Sequence, residues 1–113
     1  MGGVGISRPF DRVVNRGARL LDKARPEWWK RIDVPTLRMY SCEKCILGQE
    51  YSGDVIHVED EIPGYWIGGM ELGVCGEEPK YGFSDLKDRW TSLRSAWVRL
   101  IKSRYRDAAK GMK

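Results

Sequence analysis

The segment Ser84–Ala109, SDLKDRWTSLRSAWVRLIKSRYRDAA, decides the fold predicted for this chain of 113 residues. Its apolar side chains recur at steps of three and four residues, which places them on one face of an α-helix. They are Leu86, Trp90, Leu93, Trp97, Leu100, Ile101, Tyr105 and Ala108. Ser84 is suited to cap this helix, and Asp85 and Asp88 complement the dipole of its first turn. We therefore expect a helix from Asp85 towards Ala109 whose two tryptophans pack into the core.

The first third of the chain predicts a second amphipathic helix, beginning at Phe10 and ended by Pro26, which disfavours helical geometry at Arg25. Gly17 lies on the apolar stripe of this helix, where the missing Cβ permits another backbone to approach closely. The other stripe members are Phe10, Val13, Val14, Leu20, Leu21 and Ala24. Pro26 also suits the start of a short helical turn carrying Trp28, Trp29 and Ile32.

The centre of the chain predicts less regular structure. Val34–Leu37 resembles extended chain, and Ser41 suits the N-cap of a helix reaching about Tyr51. Residues 54–83 contain eight glycines or prolines. There we expect a strand at Val55–Val58 and a β-hairpin at Tyr65–Val74 that turns at two glycines. The expected fold class is α+β, mainly α-helical: one small domain over 1–113 with a minor hairpin, residues 1–9 forming a flexible or partner-ordered segment.

Composition excludes several classes of protein. With 42% hydrophobic and 32% charged residues, the chain is typical of a globular domain. No apolar run approaches the roughly 20 residues of a membrane span. The glycine-rich start, Met1–Ser7, lacks the basic-then-apolar order of a signal peptide. Three cysteines without an export signal indicate reduced thiols. We therefore expect a cytoplasmic protein without membrane contact.

Charge is divided unevenly along the chain. Residues 1–38 carry nine Lys/Arg against four acids, a net charge of +5. Residues 39–83 carry two against nine, a net −7, and residues 84–113 carry nine against three, a net +6. Either the basic ends fold over the acidic centre, or they form a surface that binds an anionic partner.

Two rows of basic residues follow helical spacing, one on each long predicted helix. Such rows can neutralise backbone phosphates, one per side chain. No helix-turn-helix or RNA-binding signature accompanies them, so sequence-specific readout is not expected. The candidate nucleic-acid-binding residues are Arg12, Arg16, Arg19, Lys23, Arg99, Lys102, Arg106 and Lys110. The alternative is that both rows are simply solvated helix faces.

Three cysteines and the single histidine form a candidate zinc set. Cys42 and Cys45 stand in C-x-x-C spacing, and His57 and Cys75 complete a Cys₃His set that zinc accepts. The spacing matches no standard finger. A helix N-terminus would lower the pKa of these thiols, but no βαβ pattern supports a redox role. The alternative is that Cys45 packs as a small buried hydrophobe.

No catalytic constellation is apparent. The glycines of residues 64–76 lack a phosphate-loop pattern and suit turns. His57 has acids nearby, but no serine or cysteine stands in a recognised nucleophile context. We expect no enzymatic activity, no small-molecule substrate, and no cofactor apart from the candidate zinc.

Two sequence blocks resemble a family of small actinobacteriophage proteins. Arg31–Met39, RIDVPTLRM, is similar to an R-I-D-x-x-T-L-x-M lead, and Cys45–Gln49, CILGQ, to a C-[IV]-L-G-Q block. Leu72-Gly73, Tyr81-Gly82-Phe83 and the closing Trp-bearing helix extend the likeness over about residues 19–105. The family has no established molecular function, so the resemblance implies a phage or prophage source.

These patterns favour a non-enzymatic phage or prophage accessory protein that binds a host or phage macromolecule, above all a protein, in the bacterial host cytoplasm. The alternative is a small basic nucleic-acid-binding protein that uses the two basic rows. A third reading is a Cys₃His zinc protein or a C-x-x-C redox protein.

Overall fold

Helices account for most of the chain in the computed structural model, which describes residues 10–51 and 64–111. The α-helices are α1 (Asp11–Ala24), α2 (Trp28–Arg31), α3 (Ile46–Tyr51), α4 (Gly64–Leu72) and α5 (Trp90–Gly111). Two 3₁₀ turns span Val34–Thr36 and Glu78–Tyr81. The prediction of a mainly helical single domain with a long C-terminal helix is confirmed, whereas no strand occurs within these two ranges.

The predicted β-hairpin is wrong, because α4 runs through both of its strands and its turn. Gly68 and Gly69 lie inside this helix and are buried. A Cβ on Gly68 would lie 2.7 Å from the ring of Tyr51, so the glycine lets α3 pack closely on α4. Here glycine permits close packing of two helices and does not form a turn. The strand predicted at Val55–Val58 lies outside the described residues.

Trp97 lies at the centre of the core and is fully buried. The ring of Phe83 stacks on its indole with centroids 5.6 Å apart, and Trp28 meets it edge to face at 5.7 Å. Its Nε1 donates a hydrogen bond to the carbonyl of Gly82 at 2.6 Å. Aromatic pairs of this kind contribute about 0.5–1.5 kcal/mol each beyond the burial of their area. The predicted core position of Trp97 is confirmed, and Trp90 is partly buried against the same cluster.

Helix α1 packs on the backbone of the Glu78–Tyr81 turn through Gly17, as the sequence predicted. A Cβ at Gly17 would lie 2.1 Å from the carbonyl oxygen of Tyr81 and 3.1 Å from the Trp97 ring. Gly82, at φ 74°, makes a second close approach, since a Cβ there would lie 2.9 Å from Cα of Val14. Side chains at either glycine would push α1 away from the turn.

Helix α5 begins at Trp90, five residues later than predicted. Asp88 adopts a left-handed conformation, φ 55°, which interrupts helical geometry. Asp85 accepts hydrogen bonds from the backbone N–H of Arg89 at 2.7 Å and from its guanidinium at 2.9 and 3.0 Å. Leu86 is consequently not part of the core stripe and is 87% exposed.

A buried ion pair joins α3 to the end of α1 and to α2. The Glu50 side chain is 1% exposed, and Arg25 and Arg31 both donate to its Oε1. Arg25 also donates to the Glu50 carbonyl at 2.9 Å and lies over the ring of Tyr51. Because both arginine side chains are partly exposed, 30% and 48%, and each remains when the other is removed, the loss of one partner costs less than the roughly 3–5 kcal/mol of a fully buried pair. Glu50 lies 25 positions from Arg25 and 19 from Arg31, too far apart for a local sequence pattern to indicate the pairing.

Hydrogen bonds join the segment Arg31–Met39 to the segment Cys45–Gln49. The backbone N–H of Asp33 donates to Oε1 of Gln49 at 2.6 Å, and Nε2 of Gln49 donates to the Asp33 carbonyl at 3.1 Å. Arg94 of α5 donates to the carbonyls of Val34 and Leu37, both at 2.9 Å. The segment that Arg94 holds was expected as extended chain, yet it forms a 3₁₀ turn.

We predict that Gly17→Ala lowers the free energy of unfolding by about 1–3 kcal/mol, because the added methyl overpacks the contact with Tyr81. Helix propensity alone predicts the opposite effect, an increase of about 0.5–1 kcal/mol in the free energy of unfolding, because alanine favours a helix more than glycine does. Urea unfolding measures the difference. Arg16→Ala, on the exposed face of the same helix, is the control and should change stability by less than about 0.5 kcal/mol. A Gly17→Ala variant more stable than wild type would contradict the close approach.

We predict a pH-dependent effect for Asp85→Asn. Hydrogen bonds from Arg89 lower the pKa of the Asp85 carboxyl to about 2, below the unfolded value of about 3.9. The carboxylate therefore stabilises the fold above about pH 4, and this contribution is lost as pH falls through about 2. Urea unfolding should show Asp85→Asn less stable than wild type at pH 7, with the difference shrinking across that window. Asp107→Asn, an exposed site on α5, is the control; a pH-independent Asp85 difference would exclude the charged hydrogen bond.

Candidate nucleic-acid interface

The basic row of α1 lies on its solvent face. At 100° per residue, positions 12, 16, 19 and 23 fall opposite the buried residues Val14, Gly17, Ala18 and Leu21. All four basic side chains, Arg12, Arg16, Arg19 and Lys23, are exposed. The spacing therefore places four cations along one outward helix face.

The basic row of α5 also faces away from the core. Lys102, Arg106 and Lys110 are exposed, and Arg99 is partly buried. Arg99 donates to the carboxylate of Asp11 at 2.8 Å, which neutralises it and ties α5 to α1.

A second ion pair between the same helices lies outside the rows. Both terminal nitrogens of Arg104 donate to the Asp22 carboxylate, at 2.7 and 2.9 Å. Trp28 donates to the same carboxylate at 3.0 Å. Despite partial burial, which opposes ionisation, these hydrogen bonds lower the pKa of Asp22. The carboxylate therefore stays ionised where α1 and α5 meet.

Seven of the eight candidate cations form no ion pair within the described residues, Arg99 being the exception. In the acidic centre, Glu50 pairs with Arg25 and Arg31, and Glu77 pairs with Lys80. None of these partners belongs to either row. The acids at positions 54, 59, 60 and 61 lie outside the described residues. For the described part of the chain, the rows are not the counter-charge of the acidic centre.

Tyr105 interrupts the polar surface of α5 with an exposed aromatic ring. It was predicted to be part of the core stripe, but it is 49% exposed. Its ring meets Trp29 edge to face at 4.9 Å. Tyr105, Arg99, Lys102 and Arg106 line an open surface depression of about 560 Å³. The periodicity of apolar residues did not indicate that Tyr105 is exposed. It shows on which face of the helix a residue lies, but not whether other elements cover that face near the C-terminal end of α5.

The cysteines occupy different environments. Cys45 is buried, 1% exposed, and its Sγ accepts a hydrogen bond from the backbone N–H of Gly48 at 3.3 Å. Burial raises the pKa of this thiol to about 11, the opposite of the predicted helix-dipole effect. Cys42 and Cys75 are exposed, and His57 lies outside the described residues. The environment of Cys45 is that of a small buried hydrophobe.

Residues 10–51 and 64–111 contain no group of three or more side chains able to hold a metal ion. The Cys₃His zinc site stays a prediction, since one of its four members falls outside these ranges. Ser41 caps the turn that carries Cys42, accepting from the backbone N–H groups of Glu43 and Lys44, and α3 begins only at Ile46. The C-x-x-C therefore precedes the helix on which it was predicted to lie.

A small cleft of about 190 Å³ lies beside Cys42 and is lined also by Tyr40, Tyr65 and Trp90. Burial, with the nearby carboxylate of Glu78, raises the pKa of Tyr65 to about 12, so this phenol is protonated at neutral pH. The lining residues include no histidine or carboxylate that could act as a general base. We therefore propose no catalytic role for this cleft.

A further exposed surface lies on α4. Trp66 and Met70, four residues apart and so on one helix face, are 52% and 59% exposed. No helix in the described part of the chain is both long and apolar enough to cross a membrane.

We predict that iodoacetamide modifies Cys42 and Cys75 rapidly in the native protein and Cys45 only after unfolding, because Cys45 is buried and its thiol resists ionisation. Mass spectrometry of native and urea-unfolded samples measures this. Protection of all three cysteines, with stoichiometric zinc by elemental analysis that is lost in Cys42→Ser, would instead establish the zinc site. Rapid native modification of Cys45 would contradict its buried position.

Compared with models of protein families, with curated proteins and with solved structures, the chain shows no match.

Proposed function

We propose that this protein is a small, non-enzymatic nucleic-acid-binding protein whose two basic helix faces contact backbone phosphates. The observation that supports this is the set of seven cations, on faces opposite the core, that form no ion pair within the described residues. In keeping with the sequence resemblance, we propose a phage or prophage accessory role in the host cytoplasm.

The dimensions of the rows suit a phosphate backbone. Arg12 to Lys23 and Arg99 to Lys110 each span eleven residue steps, about 16 Å of helix at 1.5 Å per residue. Successive cations of a row lie three or four residues apart, about 5–6 Å of helix, so each row presents a line of separate positive charges that phosphates can neutralise. Because such contacts read charge and not base edges, binding should be independent of sequence.

A protein partner is the second candidate, and the exposed apolar pair on α4 favours it. Exposed tryptophan and methionine side chains are enriched at protein interfaces. A partner captured from host lysate after nuclease treatment, and lost in a Trp66→Ser/Met70→Ser variant, would support a protein-binding role. Retention of that partner by the variant would exclude this face.

We predict that binding to random duplex DNA weakens steeply with salt. Each phosphate contact contributes about −0.9 to the log–log slope, so one row gives about −3 and both rows about −6. Arg16→Gln/Arg106→Gln removes one cation from each row and should reduce the magnitude of the slope by about 2 without unfolding the protein. Fluorescence anisotropy with a labelled duplex at several salt concentrations measures the slope.

The matched control is Lys44→Gln/Lys80→Gln, which removes the same charge from exposed sites outside the rows and should leave the slope nearly unchanged. No binding at micromolar protein and about 50 mM salt, where non-specific binding is strong, would contradict the proposal. If neutralising Glu59, Asp60 and Glu61 then created binding, the acidic centre would be the counter-charge of the rows.

A further inference from the structure

Tyr105 is the most exposed of the large apolar residues on the stripe of α5, on which Trp90 and Leu100 are partly buried. Leu93, Trp97 and Ile101 are at most 1% exposed, whereas Tyr105 is 49% exposed. Its edge-to-face contact with Trp29, itself 9% exposed, holds the ring in place without covering it. An aromatic ring that is both fixed and accessible loses little conformational freedom when a planar ligand stacks on it.

Cations surround this ring on the same surface. Lys102 lies one helical turn before Tyr105 and Arg106 follows it directly, and both line the depression of about 560 Å³ together with Arg99. Lys102 and Arg106 form no ion pair within the described residues. The depression therefore combines an exposed aromatic ring with cations that can contact the phosphates on either side of a stacked base.

We propose that this depression binds single-stranded nucleic acid, with a base stacked on Tyr105 and its flanking phosphates on Lys102 and Arg106. The inference rests on the proposed function and adds that single strands bind more tightly than the phosphate contacts alone provide. In a duplex the bases are stacked on one another and closed to a surface ring, whereas an unpaired base offers its face. Every base has such a face, so this binding tolerates any sequence.

The test separates base stacking from phosphate binding. Fluorescence anisotropy compares a labelled thymidine strand of about twelve nucleotides with an abasic strand carrying the same number of phosphates. Wild-type protein should bind the thymidine strand about five- to 150-fold more tightly, as expected for one stacked base. Tyr105→Leu, which keeps an apolar contact for Trp29, should abolish that difference while leaving abasic-strand affinity within about twofold. Tyr105→Phe should retain it.

Two further measurements test whether the preference for the thymidine strand is due to Tyr105. Tyr40→Leu removes an exposed tyrosine elsewhere, 64% exposed, and should leave the preference intact. Photocrosslinking of wild-type protein to a strand containing 5-iodouridine should give an adduct at Tyr105 by mass spectrometry, which tests the site even if Tyr105→Leu does not fold.

Several outcomes would overturn the inference. Equal affinity of wild type for the thymidine and abasic strands would show phosphate binding alone, and the proposed function would stand on its salt slope. A crosslink confined to other residues, or a thymidine preference kept in folded Tyr105→Leu, would remove Tyr105 from the site. No binding of any strand or duplex would overturn both proposals.

Discussion

The close contact of Gly17 with the backbone of the Glu78–Tyr81 turn is the constraint on which the rest of the structure depends. There the missing Cβ lets α1 reach the turn and, behind it, the buried Trp97. The indole of Trp97 packs against the rings of Phe83 and Trp28, and its Nε1 donates a hydrogen bond to the Gly82 carbonyl. With α1 and α5 fixed by these contacts, both helices bury their apolar faces and direct their basic faces to solvent.

A second set of contacts fixes the short helices. The Glu50 carboxylate pairs with Arg25 and Arg31, and the exchange of hydrogen bonds between Asp33 and Gln49 joins the segment Arg31–Met39 to the segment Cys45–Gln49. These side chains hold distant parts of the chain together. The binding proposals rest on exposed residues of α1 and α5.

The sequence predicted what depends on local periodicity and missed what depends on distant partners. The stripes of α1 and α5, and the close approach at Gly17, follow from spacing and residue size. Gly68 was interpreted as a turn signal although it serves helix packing, since a glycine gives the same signal for both. The partners of Glu50 are too distant in the chain for any local pattern to indicate them.

For the candidate interface too, the sequence predicted features that depend on helical spacing and missed those that depend on contacts between distant residues. Helical spacing was enough to group the basic rows, but the structure was needed to show that seven of their eight cations form no ion pair within the described residues. The exposure of Tyr105 depends on what covers the end of α5, which periodicity does not contain. The raised pKa of Cys45 is due first to its burial, which the C-x-x-C spacing does not indicate.

The most direct measurement is NMR mapping of isotope-labelled protein titrated with a short thymidine strand and, separately, a short duplex. We expect chemical-shift changes of backbone amides and arginine side chains to be concentrated on the outward faces of α1 and α5, and the resonances of the Tyr105 ring to shift with the single strand. Shifts centred instead on Trp66 and Met70 of α4 or on the cleft beside Cys42, or no shifts with either nucleic acid, would contradict this account.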